Sequence, residues 1–360
     1  MKKMSSLPCV ACAAVLWAAA SIANAQSPPG PPPQPDMTID SAARQQIVGT
    51  LVADLDRYYV FPEKAKAYAA KLRSRQESGA YDAISSAEQF ASTLTADLQA
   101  VSPDGHLQVV YSADPMPLRN VGDAPSAKEQ AEEAAQIRRL NFGFESVGRL
   151  PFNIGYLDLR AFAPPEQVEK KIAAAMVLLA DTRALIIDLR KNDGGDPDTV
   201  ALIASYLLDK RTHLNDIYSR EDDRTHPMWS RDVLSGPRYG AQREVYLLTS
   251  HHTFSAGEDF SYALKNLGRA RLVGETTGGG AHPGAGHMLN AHFGVFIPSG
   301  RSISPITHTD WEGTGVAPDI AVPADKALAT AQTRLLSEFL ATEKNPEIRD
   351  ALSKRLHELD

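Results

Sequence analysis

Apolar positions recur at two different periods along the chain, and the change from one to the other divides it. Between residues 39 and 99 the period is helical. Ile47, Leu51, Leu55 and Tyr58 fall three and four apart, Phe61-Pro62-Glu63 interrupts, the pattern resumes over 65–75, and Phe90, Leu94 and Leu98 share one face of a third helix over 87–98. Leu107, Val109 and Tyr111 then alternate as a strand does, behind the turn residues Asp104-Gly105. A polar stretch follows, with a helix predicted over 126–139.

From residue 152 onward, short apolar runs alternate with helical stretches. FNIGYLDLRAF (152–162) reads as a strand with Ile154 and Tyr156 on one face and Leu157 and Leu159 on the other, and 165–180 reads as an amphipathic helix. RALIIDLR (183–190) is a second strand, running through Gly194-Gly195 into a helix over 199–208. VYLL (245–248) is a third, and Phe260, Ala263, Leu264 and Leu267 predict the helix after it, stopped by Gly268. Residues 291–298 read as a strand, 309–320 as a turn-rich loop leading into another extended segment, and 326–359 as a closing helix. The polar stretch 213–238, with Trp229, Pro227 and Pro237, reads as a surface loop able to contact a substrate. Strands alternating with helices predict parallel βαβ units, an α/β fold whose site lies at the carboxyl ends of the strands.

With 43% hydrophobic and 22% charged residues in 360, the chain is long enough for two packed units. The formal net charge of −7 and the lack of a Lys/Arg stripe exclude the electrostatic footprint of a nucleic-acid binder. Lys2 and Lys3, the apolar run 10–20 and the small residues Ala23-Asn24-Ala25 predict a secretory signal peptide over 1–25 and a periplasmic or extracellular protein without stable membrane insertion. Both cysteines, Cys9 and Cys12, lie inside that segment, so thiol chemistry is not expected after cleavage. SPPGPPPQP (27–35) lies in a proline-rich linker over 26–36. The expected organisation continues with a helical domain over 37–120 that ends in the His106 strand, a connecting helical segment over 121–150, a catalytic α/β domain over 151–325 and a C-terminal helix over 326–360.

The candidate chemistry gathers at the turns. Ser255 sits where strand gives way to helix, and the N–H of Ala256 begins the free donors of that helix. It could be a nucleophile, or only an N-cap whose capping box Glu258 closes. Gly194 and Gly195 could supply a second oxyanion donor or form a plain strand-to-helix turn; they match neither a G-x-G-x-x-G nor a GK[ST] loop, so no nucleotide is expected. His106, at the mouth of a strand, could be a general base or a structurally bonded histidine. By position alone Glu312 reads as a solvated loop carboxylate. His251, His252, His282, His287 and His308 form no H-E-x-x-H or comparable set, so no metal or other cofactor is expected.

Four pieces in order, DGHL (104–107), IIDLRKNDGG (186–195), TFSAGEDFSYALKNLGRARLVGETTGGG (253–280) and WEGTGVAPDI (311–320), resemble the tail-specific, or C-terminal processing, protease family, serine peptidase family S41. The branch they resemble contains the tricorn core protease and the interphotoreceptor retinoid-binding protein modules. The resemblance implies an N-terminal helical domain followed by a ClpP/crotonase-like βαβ spiral. It also implies a polypeptide substrate, with Ser255 as nucleophile, His106 as general base, Glu312 as the carboxylate behind the base, and an oxyanion hole from Ala256 with Gly194 or Gly195. The chain departs from the family twice: Gly280 stands where the serine-lysine branch has its lysine, and Gly105 where the tricorn-like tetrad has a serine before the histidine. The roughly 40 residues from Tyr111 to Asn153 are too few for the PDZ domain of the processing members. A non-catalytic binding protein for a small hydrophobic ligand on the same scaffold is the competing expectation, and a serine-directed probe separates the two.

Overall fold

The computed structural model describes residues 34–116 and 126–359. The signal peptide expected over 1–25, and the linker as far as residue 33, lie outside the described residues. In chain order come helices α1 (Ser41–Tyr58), α2 (Pro62–Glu77) and α3 (Ala87–Gln99), strand β1 (Gln108–Tyr111), α4 (Ala127–Arg139), β2 (Phe144–Leu150), β3 (Ile154–Leu159), α5 (Pro165–Leu179), β4 (Ala184–Asp188) and α6 (Pro197–Leu207). There follow β5 (His213–Ser219), β6 (Arg224–Trp229), β7 (Val245–Thr249), α7 (Ala256–Asn266), β8 (Arg271–Gly274), β9 (Gly284–Met288), β10 (Phe293–Pro298), β11 (Gly300–Ile303), β12 (Ile320–Ala321), α8 (Ala327–Thr342) and α9 (Pro346–Leu359). Among the described residues they divide into two compact units: 34–116 with 284–299, and 126–283 with 300–359.

The first unit packs α1, α2 and α3 with a three-stranded antiparallel sheet ordered β1-β10-β9. Its core joins helical positions Ile47, Leu51, Leu55, Leu72, Phe90 and Leu94 to strand positions Val109, Phe293, Val295 and Ile297. Tyr59, one residue past the last position of the predicted helical stripe, is fully buried, whereas Tyr58 is half-buried. Asp40 and Ser86 cap α1 and α3 through their side chains, and Pro62 opens α2 at a position where its missing N–H costs nothing.

The second unit is built on a six-stranded sheet ordered β12-β8-β7-β4-β3-β2, with β3, β4, β7, β8 and β12 parallel and β2 antiparallel at one edge. Both faces are covered, which is why these strands read as unbroken apolar runs. Leu185, Ile187, Val245 and Leu247 pack into the core shared with α5, α6 and α7, whereas Ala184, Ile186, Tyr246 and Leu248 pack with α8. The two faces expected for β3 are those observed: Leu157 and Leu159 on the first side, Ile154 and Tyr156 on the second. Between β1 and β3 the described residues form α4, β2 and two three-residue 3₁₀ turns.

Three local expectations are corrected. The stretch 213–238 is not a loop throughout: β5 and β6 form an antiparallel ribbon with β11 as its third strand. Leu214 and Asn215 are buried while the β6 residues are mostly exposed, so neither face carries the alternation that marks a half-buried strand. The strand expected from 152 begins at Ile154, because Phe152 and Asn153 both have positive φ (61° each). The closing helix is two helices, interrupted at 343–345 ahead of Pro346, whose ring disfavours helical geometry in the residue before it.

Candidate active site

Strands β4 and β7 are hydrogen-bonded neighbours running parallel, so the turns leaving them emerge side by side at the carboxyl edge of the sheet. Both turns lead into helices, α6 and α7. They are stitched together: the Thr253 hydroxyl donates to the Leu189 carbonyl (2.8 Å), the Ser250 hydroxyl to the Arg190 carbonyl (2.6 Å), and the Phe254 N–H to the Asn192 carbonyl (2.9 Å).

Ser255 ends the β7 turn at φ 52° and ψ −119°. A residue with a Cβ reaches that region only under strain, of about 1–3 kcal/mol, and it persists where the surroundings over-determine it. Here the surroundings are α7 and Glu258. The Ser255 N–H donates to Glu258 Oε2 (2.9 Å), and the Glu258 N–H donates to the Ser255 carbonyl (2.8 Å). The glutamate half of the expected capping box is thus present, with the Glu258 N–H on the Ser255 carbonyl, and it is only part of what Glu258 does.

The Glu258 carboxylate is fully buried and accepts three further hydrogen bonds: the Thr277 hydroxyl (2.5 Å) and Gly279 N–H (2.7 Å) on Oε1, and the Gly280 N–H (2.8 Å) on Oε2. Burial pushes this carboxyl up to about 7, against the four hydrogen bonds, which favour the charged form. The side chain therefore binds the serine turn to the glycine loop 277–280. At the other end of that loop the Ala281 N–H donates to Glu312 Oε2 (2.6 Å), and the Trp311 indole N–H donates to the Gly280 carbonyl (2.8 Å). Val316 N–H donates to the Thr277 hydroxyl oxygen (2.7 Å), so the loops 277–281 and 311–316 are zipped along their length. Glu312, half-buried, is thus tied to the Ser255 turn through Glu258 and the glycine loop, and His282 Nδ1 lies 3.4 Å from its Oε2.

The β4 turn is built differently. Gly194 and Gly195 have φ of 102° and 135°, which only glycine adopts without strain. A Cβ on Gly194 would stand 2.7 Å from the Ser255 Cβ and 3.0 Å from the Ala256 nitrogen, so this backbone lies directly against the serine. The Gly194 N–H donates to Asn192 Oδ1 (2.9 Å), and its carbonyl accepts from Phe162 N–H (2.8 Å). Asp196 caps α6 by accepting the Asp198 N–H (2.8 Å), and burial pushes its carboxyl up to about 6.

His106 is carried by the first unit. Its turn is pinned by Gln99, whose amide donates to the Asp104 carbonyl (2.8 Å) and the Leu107 carbonyl (2.9 Å) while its oxygen accepts Asp104 N–H (3.0 Å). The buried Asp104 carboxylate accepts the Tyr59 hydroxyl (2.9 Å) and the His106 N–H (3.1 Å), and the imidazole lies against Phe296 with ring centres 5.5 Å apart. The second unit thus brings Ser255, Ala256, Gly194, Gly195 and Glu312 into one connected set, and the first holds His106 on a rigid turn. The connecting roles of Asn192 and Glu258, and the place of His282 beside Glu312, escaped sequence reasoning. For Asn192 and Glu258 the signal was present only as membership of the quoted motifs, and for His282, which lies two residues past the glycine loop, there was none, since which groups a buried side chain ties together is set by tertiary structure.

The chain was compared with known proteins. Residues 153–322 match the family model described as peptidase family S41, and residues 40–141 match the model for the N-terminal domain of that family in eukaryotic IRBP. Among curated relatives, the chain is 27% identical over 198 residues to carboxyl-terminal-processing peptidase 1, chloroplastic, of Arabidopsis thaliana; that stretch covers 55% of this chain and 39% of the relative. A lipoprotein from Streptococcus agalactiae shares the fold at TM-score 0.54 and 14% identity, covering 85% of this chain and 97% of the other. Mature CPAF in complex with lactacystin shares it at TM-score 0.53 and 11% identity, covering 83% and 98%.

Proposed function

The chain belongs to peptidase family S41, and on that premise we propose that it is a secreted serine peptidase hydrolysing peptide bonds in extended polypeptides. Ser255 Oγ attacks the scissile carbonyl carbon while the His106 imidazole takes the hydroxyl proton. The tetrahedral intermediate collapses as the imidazolium returns that proton to the leaving amine, and water repeats the sequence on the acyl-enzyme. Glu312 orients the imidazole and stabilises its charged form. The oxyanion is held by the N–H groups of Ala256 and Gly195. Gly194 is assigned no donor role, because its N–H is already given to Asn192.

One observation carries this reading: a serine with positive φ at a strand-to-helix turn, pressed against a glycine backbone whose Cβ would collide with it. A residue serving only as an N-cap sits comfortably in the extended region and needs no such strain. Secretion is supported by the charged, apolar and small-residue succession over 1–25, and among the described residues no helix is long and apolar enough to cross a membrane. The residues of the reaction fall in the stretches 104–107 and 151–325, the latter being the proposed catalytic domain.

A fluorophosphonate probe tests the reading directly. Wild-type protein takes one label, and Ser255→Ala takes none and fails to hydrolyse an unstructured polypeptide. Wild-type protein that neither labels nor hydrolyses would replace the peptidase with a binding protein on this scaffold.

A further inference from the structure

One buried side chain between the two turns has no part in the chemistry above. Asn192 follows β4 and is fully buried, and both polar atoms of its carboxamide are engaged: Oδ1 accepts the Gly194 N–H (2.9 Å) and Nδ2 donates to the Leu159 carbonyl at the end of β3 (2.8 Å). Its own carbonyl accepts the Phe254 N–H (2.9 Å), immediately before the serine. From the side of α7, a Cβ on Gly257 would stand 2.7 Å from Asn192 Oδ1, so the first turn of that helix rests on the carboxamide. A single residue therefore touches β3, the glycine turn and the serine turn.

We infer that Asn192 is a positioning residue for the oxyanion site, an inference that rests on the serine peptidase reading above. A trans peptide is planar, with its N–H and C=O pointing in opposite directions. Asn192 holds the Gly194 N–H, and Phe162 N–H holds the Gly194 carbonyl at 2.8 Å. With that carbonyl fixed toward Phe162, the Gly195 N–H of the same peptide unit is aimed the other way. Phe162 holds the far side of the turn, its N–H donating to the Gly194 carbonyl and its own carbonyl accepting the Asp196 N–H, and Asn192 holds the near side through the Gly194 N–H; between them two glycines with no side chain to resist rotation are fixed at both ends. A donor stabilises a developing oxyanion to the extent that it is oriented before the charge appears, so the carboxamide acts on the rate through the backbone it fixes.

The test compares wild type with Asn192→Ala on a peptide ester or amide, and on two ligands of matched sequence. One is a peptide aldehyde, which adds Ser255 and builds the oxyanion; the other is the corresponding alcohol, which does not. Removing one oxyanion donor outright costs about 10²–10³ in kcat, so loosening it should cost about ten- to a hundredfold, with KM nearly unchanged. The aldehyde should weaken by a similar factor while alcohol binding holds. A wild-type kcat, or equal weakening of both ligands, would overturn the inference.

Should the alanine variant fail to fold, Asn192→Asp decides. Its protonated carboxyl can reproduce both hydrogen bonds and its ionised form cannot donate to Leu159, so its rate relative to wild type should rise as the pH is lowered from about 8 to about 6. A pH-independent ratio would overturn the inference. Wild-type protein that neither labels nor hydrolyses would overturn both this inference and its parent reading, and is told apart from the other outcomes by the wild type alone.

Discussion

The turns after β4 and β7 solve one geometric problem in opposite ways. Both must leave a strand sharply and enter a helix while passing close to each other. The β4 turn does so with two glycines at φ 102° and 135°, without steric cost, because only backbone is needed there. On the proposed reading the β7 turn has to present a hydroxyl; it keeps a Cβ at φ 52° and is held there by the fully buried Glu258. If the proposed roles hold, strain is tolerated where a side chain is needed and avoided where a peptide N–H suffices.

The largest expected effect comes from removing the hydroxyl alone. Ser255→Ala should lower kcat by a factor on the order of 10⁴ or more, since members of a catalytic unit fail together, while thermal unfolding stays close to wild type. Next is Gly194→Ala, which would make the glycine turn resemble the serine turn. The added Cβ lies at a strained φ and 2.7 Å from the Ser255 Cβ, so kcat should fall about a hundredfold; a wild-type kcat would show that the two turns can separate without consequence.

Glu258→Gln tests what holds the strained turn. The amide places a donor where two of four N–H or O–H groups need an acceptor, which should destabilise by about 1–3 kcal/mol in denaturant unfolding. The smallest effect has the opposite sign. Ser255→Gly should be more stable than Ser255→Ala by about 1 kcal/mol, because glycine relieves the strained φ and ψ; equal stabilities would mean that the serine turn stores no strain.

How much of this could be read before the structure depended on how local each cause was. Runs such as ALIID and VYLLT are buried on both faces of the sheet and announce themselves by composition alone. The place of Ser255 followed from the period change on either side of it. The β5–β6 ribbon did not, because residues such as Thr225, His226 and Pro227 leave little apolar pattern to read. Strand β9, GAGHM, opens with three residues that have almost no side chain to make a pattern, and its pairing with β10 is what the sequence does not announce. Glu258 resembled an ordinary capping glutamate because three of its four donors come from a loop some twenty residues away, and Asn192 could not be told from a turn residue without knowing that Leu159 lies beside it.

Strand β10 also bears on how the polypeptide matures. It pairs with β1, Val295 opposite Val109, and contributes Phe293, Val295 and Ile297 to the interior around the N-terminal helices. A fragment ending at Asp123 would leave β1 without its partner and those helices without Leu289, Phe293, Val295 and Ile297 of their shared core. The unit of the N-terminal helices therefore closes only after residue 298 has been made, by which point β2, β3, β4, β7 and β8 of the other unit have already left the ribosome.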